Sequence, residues 1–305
     1  MPNSVVLFVS HRKAYRIIPS KLENWRRRRV AHTYNLSMSN IPKLGFFLIT
    51  DKKDKPCSYE NFVKKCEKFD SQKTLDFPGP TIFWNKMFRM FRGVLQEKRR
   101  KKGFPSYVFD KDFSLFPKET TFDWHLTPLN KTFLPFLKEE FRDMHNPDNK
   151  MPGINTCQLL LGHAGGGHVE NVNLPPINYH HSGKPKYWVV VAEKYGVLLK
   201  EFFRKNIPSF YEECRSAELH KYFLVMPQLF KANDPPIPFH CFKQCKGDYI
   251  ITFPGVFHFV VNSGLNVAQA TNFAFPEWLL FAKAREGCSC VYSESFIAVS
   301  SRFNL

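Results

Sequence analysis

The 305-residue sequence predicts a mainly β fold with helices, a small barrel or jelly roll carrying helical decoration. Three observations lead there. The second half is built of short apolar and aromatic runs separated by turn residues, the pattern of an antiparallel β domain. Only a few segments repeat apolar residues at the spacing of a packed helix. The composition, 43% hydrophobic and 16% aromatic with 32 Phe, supplies a large core and excludes a disordered chain. No apolar run approaches the ~18 residues of a membrane span.

From the N-terminus onward, Ser4–Ser10 lacks the basic leader and cleavage site of a secretory signal. The eight cysteines therefore read as reduced thiols or metal ligands. Residues 1–102 hold 24 basic and 8 acidic residues, whereas 103–305 hold 20 and 19, so nearly all of the net +17 sits in the first third. Two readings of this excess stand: contact of residues 1–102 with an acidic partner, nucleic acid or chromatin, or a solubilising extension. Its densest runs, Arg26–Arg29 and Lys98–Lys102, read as a nuclear-import signal or a solvated face.

Helical spacing follows in Tyr59–Phe69 (Phe62, Cys66, Phe69) and in Ile82–Leu95, whose Phe83, Met87, Met90 and Phe91 read as core. Residues 30–58 carry no clear period. Leu129–Met144 reads as a helix through Phe133, Phe136, Leu137, Phe141 and Met144, with Pro135 in its first turn or at a kink. Ile177–Val191 reads as two strands around the turn Ser182–Pro185, and Glu193–Asn206 as a helix. Asp248–Val261 is β-rich with a break at Pro254–Gly255, Thr271–Phe275 a short strand, and Glu277–Arg285 a terminal helix.

Chemistry first shows in His168-Val169-Glu170. On a strand, positions i and i+2 project from one face and can reach one metal. His258, on the later β-rich run, is the natural third ligand; His125, His163, His180, His181 and His240 compete for the role. Two imidazoles and a carboxylate leave open positions on a six-coordinate ion, the arrangement of non-haem Fe(II) oxygenases.

The stretch from His168 through Asn178, Gly183, Pro185 and Lys186 to Trp188 resembles the core of the Jumonji C (JmjC) lysine demethylases. So do Gly247–His258, Asn262–Asn266 and Thr271–Ala274, in the same order. The likeness is greatest to the Jumonji domain 2 group, which combines JmjN, JmjC and a Cys/His zinc site, and it covers roughly residues 104–290. It implies a double-stranded β-helix, cupin-like, with iron held by His168, Glu170 and His258. It further implies 2-oxoglutarate held by Tyr107, Asn178 and Lys186 with Trp188 packed nearby, and a methyl-lysine pocket at Gly153, Leu160, Glu170, Ala270 and Asn272. A buried ammonium paired with a carboxylate of that cosubstrate is chemically apt, with Tyr and Asn adding neutral hydrogen bonds. The resemblance also makes Cys214, His220, Cys288 and Cys290 a closed structural zinc site. Cys241 and Cys245 read as free thiols, and Cys57, Cys66 and Cys157 as core or incidental cysteines.

The activity implied is Fe(II)/2-oxoglutarate-dependent hydroxylation of N-methyl-lysine in histone tails or nucleosomes, releasing formaldehyde, in the nucleus. Alternatives are an inactive or weak chromatin-binding JmjC protein and a hydroxylase of a non-histone protein. The segments expected are an end of JmjN over 1–30, a basic, partly helical region over 31–103, the JmjC domain over 104–284 and a zinc-binding tail over 285–305. The sequence departs from the family pattern at Gly165–Gly167, where larger residues are usual, at Leu160 in place of Tyr, and at Ala270 in place of Ser. Glycines there supply no packing surface for a cosubstrate.

Overall fold

The computed structural model describes residues 6–10, 33–40, 46–54, 61, 63–64, 82, 84–85, 104–111, 115, 126–161, 173–217, 220, 223–284 and 300–305. Its strands are β1 (Val6–Ser10), β2 (Thr33–Asn40), β3 (Phe46–Asp54), β4 (Phe104–Lys111), β5 (Gln158–Leu161) and β6 (Pro176–Gly183). They continue with β7 (Lys186–Val191), β8 (Phe223–Val225), β9 (His240–Gln244), β10 (Asp248–Thr252), β11 (Phe257–Asn262) and β12 (Asn266–Asn272). Between them lie the helices α1 (Leu126–Leu129), α2 (Gly196–Asn206), α3 (Pro208–Glu213), α4 (Pro227–Lys231) and α5 (Trp278–Lys283). Nine strands form one sheet in the order β1-β10-β6-β12-β5-β4-β2-β3-β8, and β11-β7-β9 form a second. Every pairing is antiparallel. The chain is thus mainly β with short helices, as the apolar-run pattern predicts. Among the described residues no helix is long and apolar enough to cross a membrane.

The strand β7 shows why the two sheets enclose an interior. All six of its residues are buried, so each face of the strand must be covered. Alternation sends Tyr187, Val189 and Val191 outward, where they join Phe257, Phe259 and Val261 of β11. Leu199, Phe202 and Phe203 of α2 close over this face, with Trp84 set edge-on to Phe259 at 5.2 Å. Each large apolar side chain so buried contributes on the order of 2 kcal/mol. The opposite face of β7, carrying Lys186 and Trp188, is left to the interior.

A separate cluster joins Phe133, Leu137, Met151, Ile154, Trp278 and Phe303. Phe303 inserts between Phe133 (6.0 Å) and Trp278 (5.4 Å), and Asn304 N donates to Phe136 O, fastening the last residues to the core.

The helix at Glu193–Asn206 is present, as a 3-10 turn followed by α2, and so are the break at Pro254–Gly255 and a terminal helix, α5. Two expectations need correction. Leu129–Met144 is not one helix: α1 runs into a 3-10 segment, Asn130–Phe136, followed by another at Glu139–Phe141. Pro135 lacks the N–H of an α-helical ladder, and Leu137 turns extended to bridge Phe303. The strand expected at Thr271–Phe275 is β12, which ends at Asn272 where Phe273 N bonds to Pro175 O outside the ladder. The two strands expected in Ile177–Val191 are present as β6 and β7, and they lie in different sheets: β6 pairs with β10 and β12, whereas β7 pairs with β9 and β11. Their connection is a corner between sheets. Residues 30–58 supply β2 and β3. Helical backbone at 61, 63–64, 82 and 84–85 falls within the two expected N-terminal helices.

Gly183 makes the corner. Its φ is +96°, and an added Cβ would strike the Leu265 carbonyl and sit 2.6 Å from the Asn266 Cα. Gly255 also has positive φ, +74°, but a Cβ there meets only the side chain of exposed Glu193. Gly183→Ala should therefore cost about 3 kcal/mol and Gly255→Ala about 1 kcal/mol. Denaturant unfolding of the two variants measures the difference, and equal losses would contradict this account of the corner.

Candidate active site

The interior face of the three-stranded sheet is fixed by register. Lys186 stands opposite Asn262 of β11 and Gln244 of β9; Trp188 stands opposite Val260 and Phe242; Val190 stands opposite His258 and His240. Directly paired residues share a face. From the larger sheet, Asn178 of β6 stands opposite Ile250 of β10 and Ala270 of β12, and Ala270 opposite Gln158 of β5. Leu160 pairs with Ala268, one step along the same row. The expected site residues Asn178, Lys186, Trp188, His258, Leu160 and Ala270 are thereby placed on facing registers of two sheets.

Hydrogen bonds join those sheets through Gln244, which is fully buried. Its Oε1 accepts from Trp188 Nε1 at 2.9 Å, and its Nε2 donates to Asn178 O (3.1 Å), Asn178 Oδ1 (3.2 Å) and Asp248 O (3.2 Å). The indole of Trp188 stacks between Phe242 (5.9 Å) and His258 (5.8 Å). His258 is 3% exposed, with Nδ1 3.1 Å from Val256 O. The carbonyl can only accept, so Nδ1 carries the proton and Nε2 the lone pair, the state a metal ligand needs.

Lys186 is 3% exposed, which excludes a strand-end lysine reaching solvent. Burial pushes its ammonium down to about 7, and no carboxylate among the described residues opposes that shift. Around it the interior is polar but uncharged. Thr252 Oγ1, Asn262 Oδ1, Asn272 Oδ1 and His180 Nδ1 are buried without a partner among the described residues. Burial also lowers His180 to about 4, despite the acceptor Lys184 O at 2.8 Å, and Lys186 adds to the effect. His181 is pushed to about 3 by burial and is held by Gln269 at 3.3 Å. Among the described residues neither belongs to a cluster of metal-binding groups, and His240 is exposed. An uncompensated ammonium, with the unmet Thr252 hydroxyl as a further donor, fits an anionic ligand.

Asn272 and Gly153 meet where the pocket is expected. Gly153 O accepts from Asn272 N at 3.0 Å and from Asn272 Nδ2 at 2.8 Å. Gly153 has φ +77°, and a Cβ there would fall 2.6 Å from Gln158 Oε1. The backbone of Tyr107 lies in β4, whose Phe109 is paired with Leu160. His168, Glu170, Cys288, Cys290 and Gly165–Gly167 lie outside the described residues. Cys214 is buried at the end of α3, and His220 N bonds to Ala217 O. Cys157, Cys241 and Cys245 are free thiols, with burial raising Cys241 to about 12.

Sequence reading overlooked Gln244, Thr252 and the buried role of His180. The alternation Phe242-x-Gln244 carries the signal, but only the pairing of β7 with β9 shows what it faces.

Residues 164–273 match the family described as JmjC domain, hydroxylase. This stretch of the chain is thus similar to JmjC domains, and it contains His168, Glu170, Asn178, Lys186, Trp188 and His258. Over 189 residues it is 35% identical to "Probable lysine-specific demethylase 4F" of Homo sapiens, covering 61% of this chain and 28% of that protein. It is 33% identical over 196 residues to "Lysine-specific demethylase 4D" of Rattus norvegicus, covering 63% and 36%. To "Lysine-specific demethylase 4B" of Mus musculus it is 30% identical over 189 residues, 61% of this chain and 16% of that one. The matched stretch thus spans about a third or less of two of these relatives and a little more than a third of the other.

A lysine lowered to about 7 from 10.5 binds more protons unfolded than folded between those values. Its burial therefore costs most at and below pH 7, and the cost shrinks as pH rises toward 10.5. Lys186→Met should stabilise the ligand-free protein by about 2 kcal/mol or more at pH 7 and by progressively less above it. Urea unfolding from pH 6.5 to 9.5 reads the trend; a pH-independent difference would contradict it.

Proposed function

We propose that this protein is an Fe(II)/2-oxoglutarate-dependent dioxygenase that removes methyl groups from N-methyl-lysine in histone tails. The observation that carries the reading is Lys186, a buried ammonium without a described counter-charge, on the strand of Trp188 and opposite Gln244, which bonds both Trp188 and Asn178. In this reading His258, His168 and Glu170 hold the iron, and Lys186, Asn178 and Tyr107 hold 2-oxoglutarate. The contact of His258 Nδ1 with the Val256 carbonyl leaves Nε2 as the nitrogen for a metal, and Lys186 with the Thr252 hydroxyl suits a carboxylate. Bound together, iron and 2-oxoglutarate would use O₂ for C–H hydroxylation, one oxygen atom going to the methyl carbon and the other to succinate, with loss of CO₂.

The chain's own residues then have separable tasks. Lys186 neutralises and anchors the anionic cosubstrate, the indole of Trp188 walls the site against water, and Val256 holds the His258 ring. Gly153, Leu160, Ala270, Asn272 and Glu170 form the methyl-lysine pocket, where the unmet Asn272 Oδ1 offers an acceptor to a methylated ammonium. Cys214, His220, Cys288 and Cys290 hold a structural zinc. The relatives named as lysine-specific demethylases support the substrate class. Chromatin as the partner and the nucleus as the location go with it, and the basic residues 1–102 supply contact with nucleic acid.

The test is formaldehyde and succinate release from a methylated histone peptide library with Fe(II). His168→Ala, Glu170→Ala and His258→Ala should each bring turnover to the no-enzyme level with the melting temperature nearly unchanged. Succinate without formaldehyde on every histone peptide would redirect the reading to another hydroxylated protein. Wild-type turnover in all three variants would remove the assigned iron site.

A further inference from the structure

We infer that Gln244 is a positioning residue that fixes which end of the Asn178 carboxamide meets the cosubstrate. The inference rests on the 2-oxoglutarate reading above. Carboxamides are ambiguous, since either end can face a partner, but Trp188 resolves the ambiguity. An indole N–H only donates, so the group 2.9 Å from Trp188 Nε1 must be the Gln244 oxygen. The Gln244 NH₂ then points the other way, and its two protons serve Asp248 O and, shared, Asn178 O and Oδ1. A donor facing Asn178 requires that the near end of that side chain be its oxygen. The Asn178 NH₂ is consequently turned away, and it has no acceptor among the described residues.

Direction is thus transmitted from the Trp188 N–H through Gln244 to the Asn178 N–H. Asn178 can present only donors to the interior, a choice that suits a carboxylate and disfavours a donor in its place. The relay crosses from β7 and β9 to β6 and β10, so it also sets the spacing between the ammonium of Lys186 and the amide of Asn178. Gln244 is fully buried and stands directly opposite Lys186, yet contributes no charge that would neutralise the lysine.

The test is a double-mutant cycle on the full chain. Calorimetry measures 2-oxoglutarate affinity with Mn(II) in place of Fe(II), for wild type, Gln244→Met, Asn178→Ala and the pair. Gln244→Met should weaken binding roughly ten- to a hundredfold when Asn178 is present, since a hydrogen bond to a charged group is lost. In the Asn178→Ala background it should weaken binding by roughly threefold or less. Trp188→Phe keeps an aromatic ring beside Phe242 and His258 while removing the directing N–H, and should give a smaller loss that also disappears without Asn178. That variant carries the cycle if Gln244→Met does not fold. Equal losses in both backgrounds, tracking a lowered melting temperature, would mean a merely structural role and overturn the inference. If wild type binds, Lys186→Met does not, and Gln244→Met binds like wild type, the inference fails alone. If wild type does not bind 2-oxoglutarate at millimolar concentration, the inference and the reading beneath it fall together.

Discussion

A lysine ammonium enclosed between two β sheets, opposite Gln244 and Asn262 and away from any described carboxylate, is the constraint on which this interior turns. Leaving a cation so placed is costly, and a protein selected for stability alone would replace or pair it. The cost is confined because the rest of the interior is polar and mutually oriented. Gln244 satisfies Trp188, Asn178 and Asp248 at once, and Asp248 Oδ2 in turn accepts from Cys245 N at 2.6 Å. What stays unmet is one hydroxyl, Thr252, which can donate to a carboxylate, and three acceptors, Asn262 Oδ1, Asn272 Oδ1 and His180 Nδ1, which water can meet.

Stability for such an interior comes from the other side of the same strands. The outward residues of β7 and β11 lie under α2 in a layer of aromatic and aliphatic side chains. There Phe202 packs against Phe203 at 5.6 Å and against Phe230 at 5.3 Å. Strand alternation lets one six-residue segment serve both purposes, which is why β7 reads as continuously buried rather than as alternately apolar and polar. The Phe-rich composition and the exacting site are linked through this one strand.

Much of this arrangement can be read in the sequence, because strong local signals coincide with the fold. The break at Pro254–Gly255, the apolar run after Lys186 and the helix beginning near Glu193 are set by turn chemistry and short-range periodicity. The segment Leu129–Met144 misleads, since its apolar spacing is helical while Pro135 and the docking of Phe303 hold it in 3-10 turns. β2 does alternate, Tyr34, Leu36 and Met38 against Asn35, Ser37 and Ser39, a signal the sequence reading passed over, while β3 runs into the charged stretch Asp51–Asp54 and is defined by pairing. Lys186 and Asn178 are recognisable by resemblance. Gln244 is not, because its role depends on register between β7 and β9 and on hydrogen bonds to β6 and β10, none of which leaves a local trace.

The central claim is that Lys186 receives an anion, and proton linkage tests it most directly. With its ammonium near 7 in the ligand-free site, most Lys186 side chains are neutral at pH 7.5. A bound dicarboxylate should recharge them. Calorimetric titration of 2-oxoglutarate into metal-loaded protein, repeated at pH 7.5 in buffers of different ionisation enthalpy, reads that uptake. The account predicts roughly three quarters of a proton taken up per ligand bound, and none in any residual binding by Lys186→Met. Tight binding by the wild type without proton uptake, or with the same uptake in Lys186→Met, would contradict it.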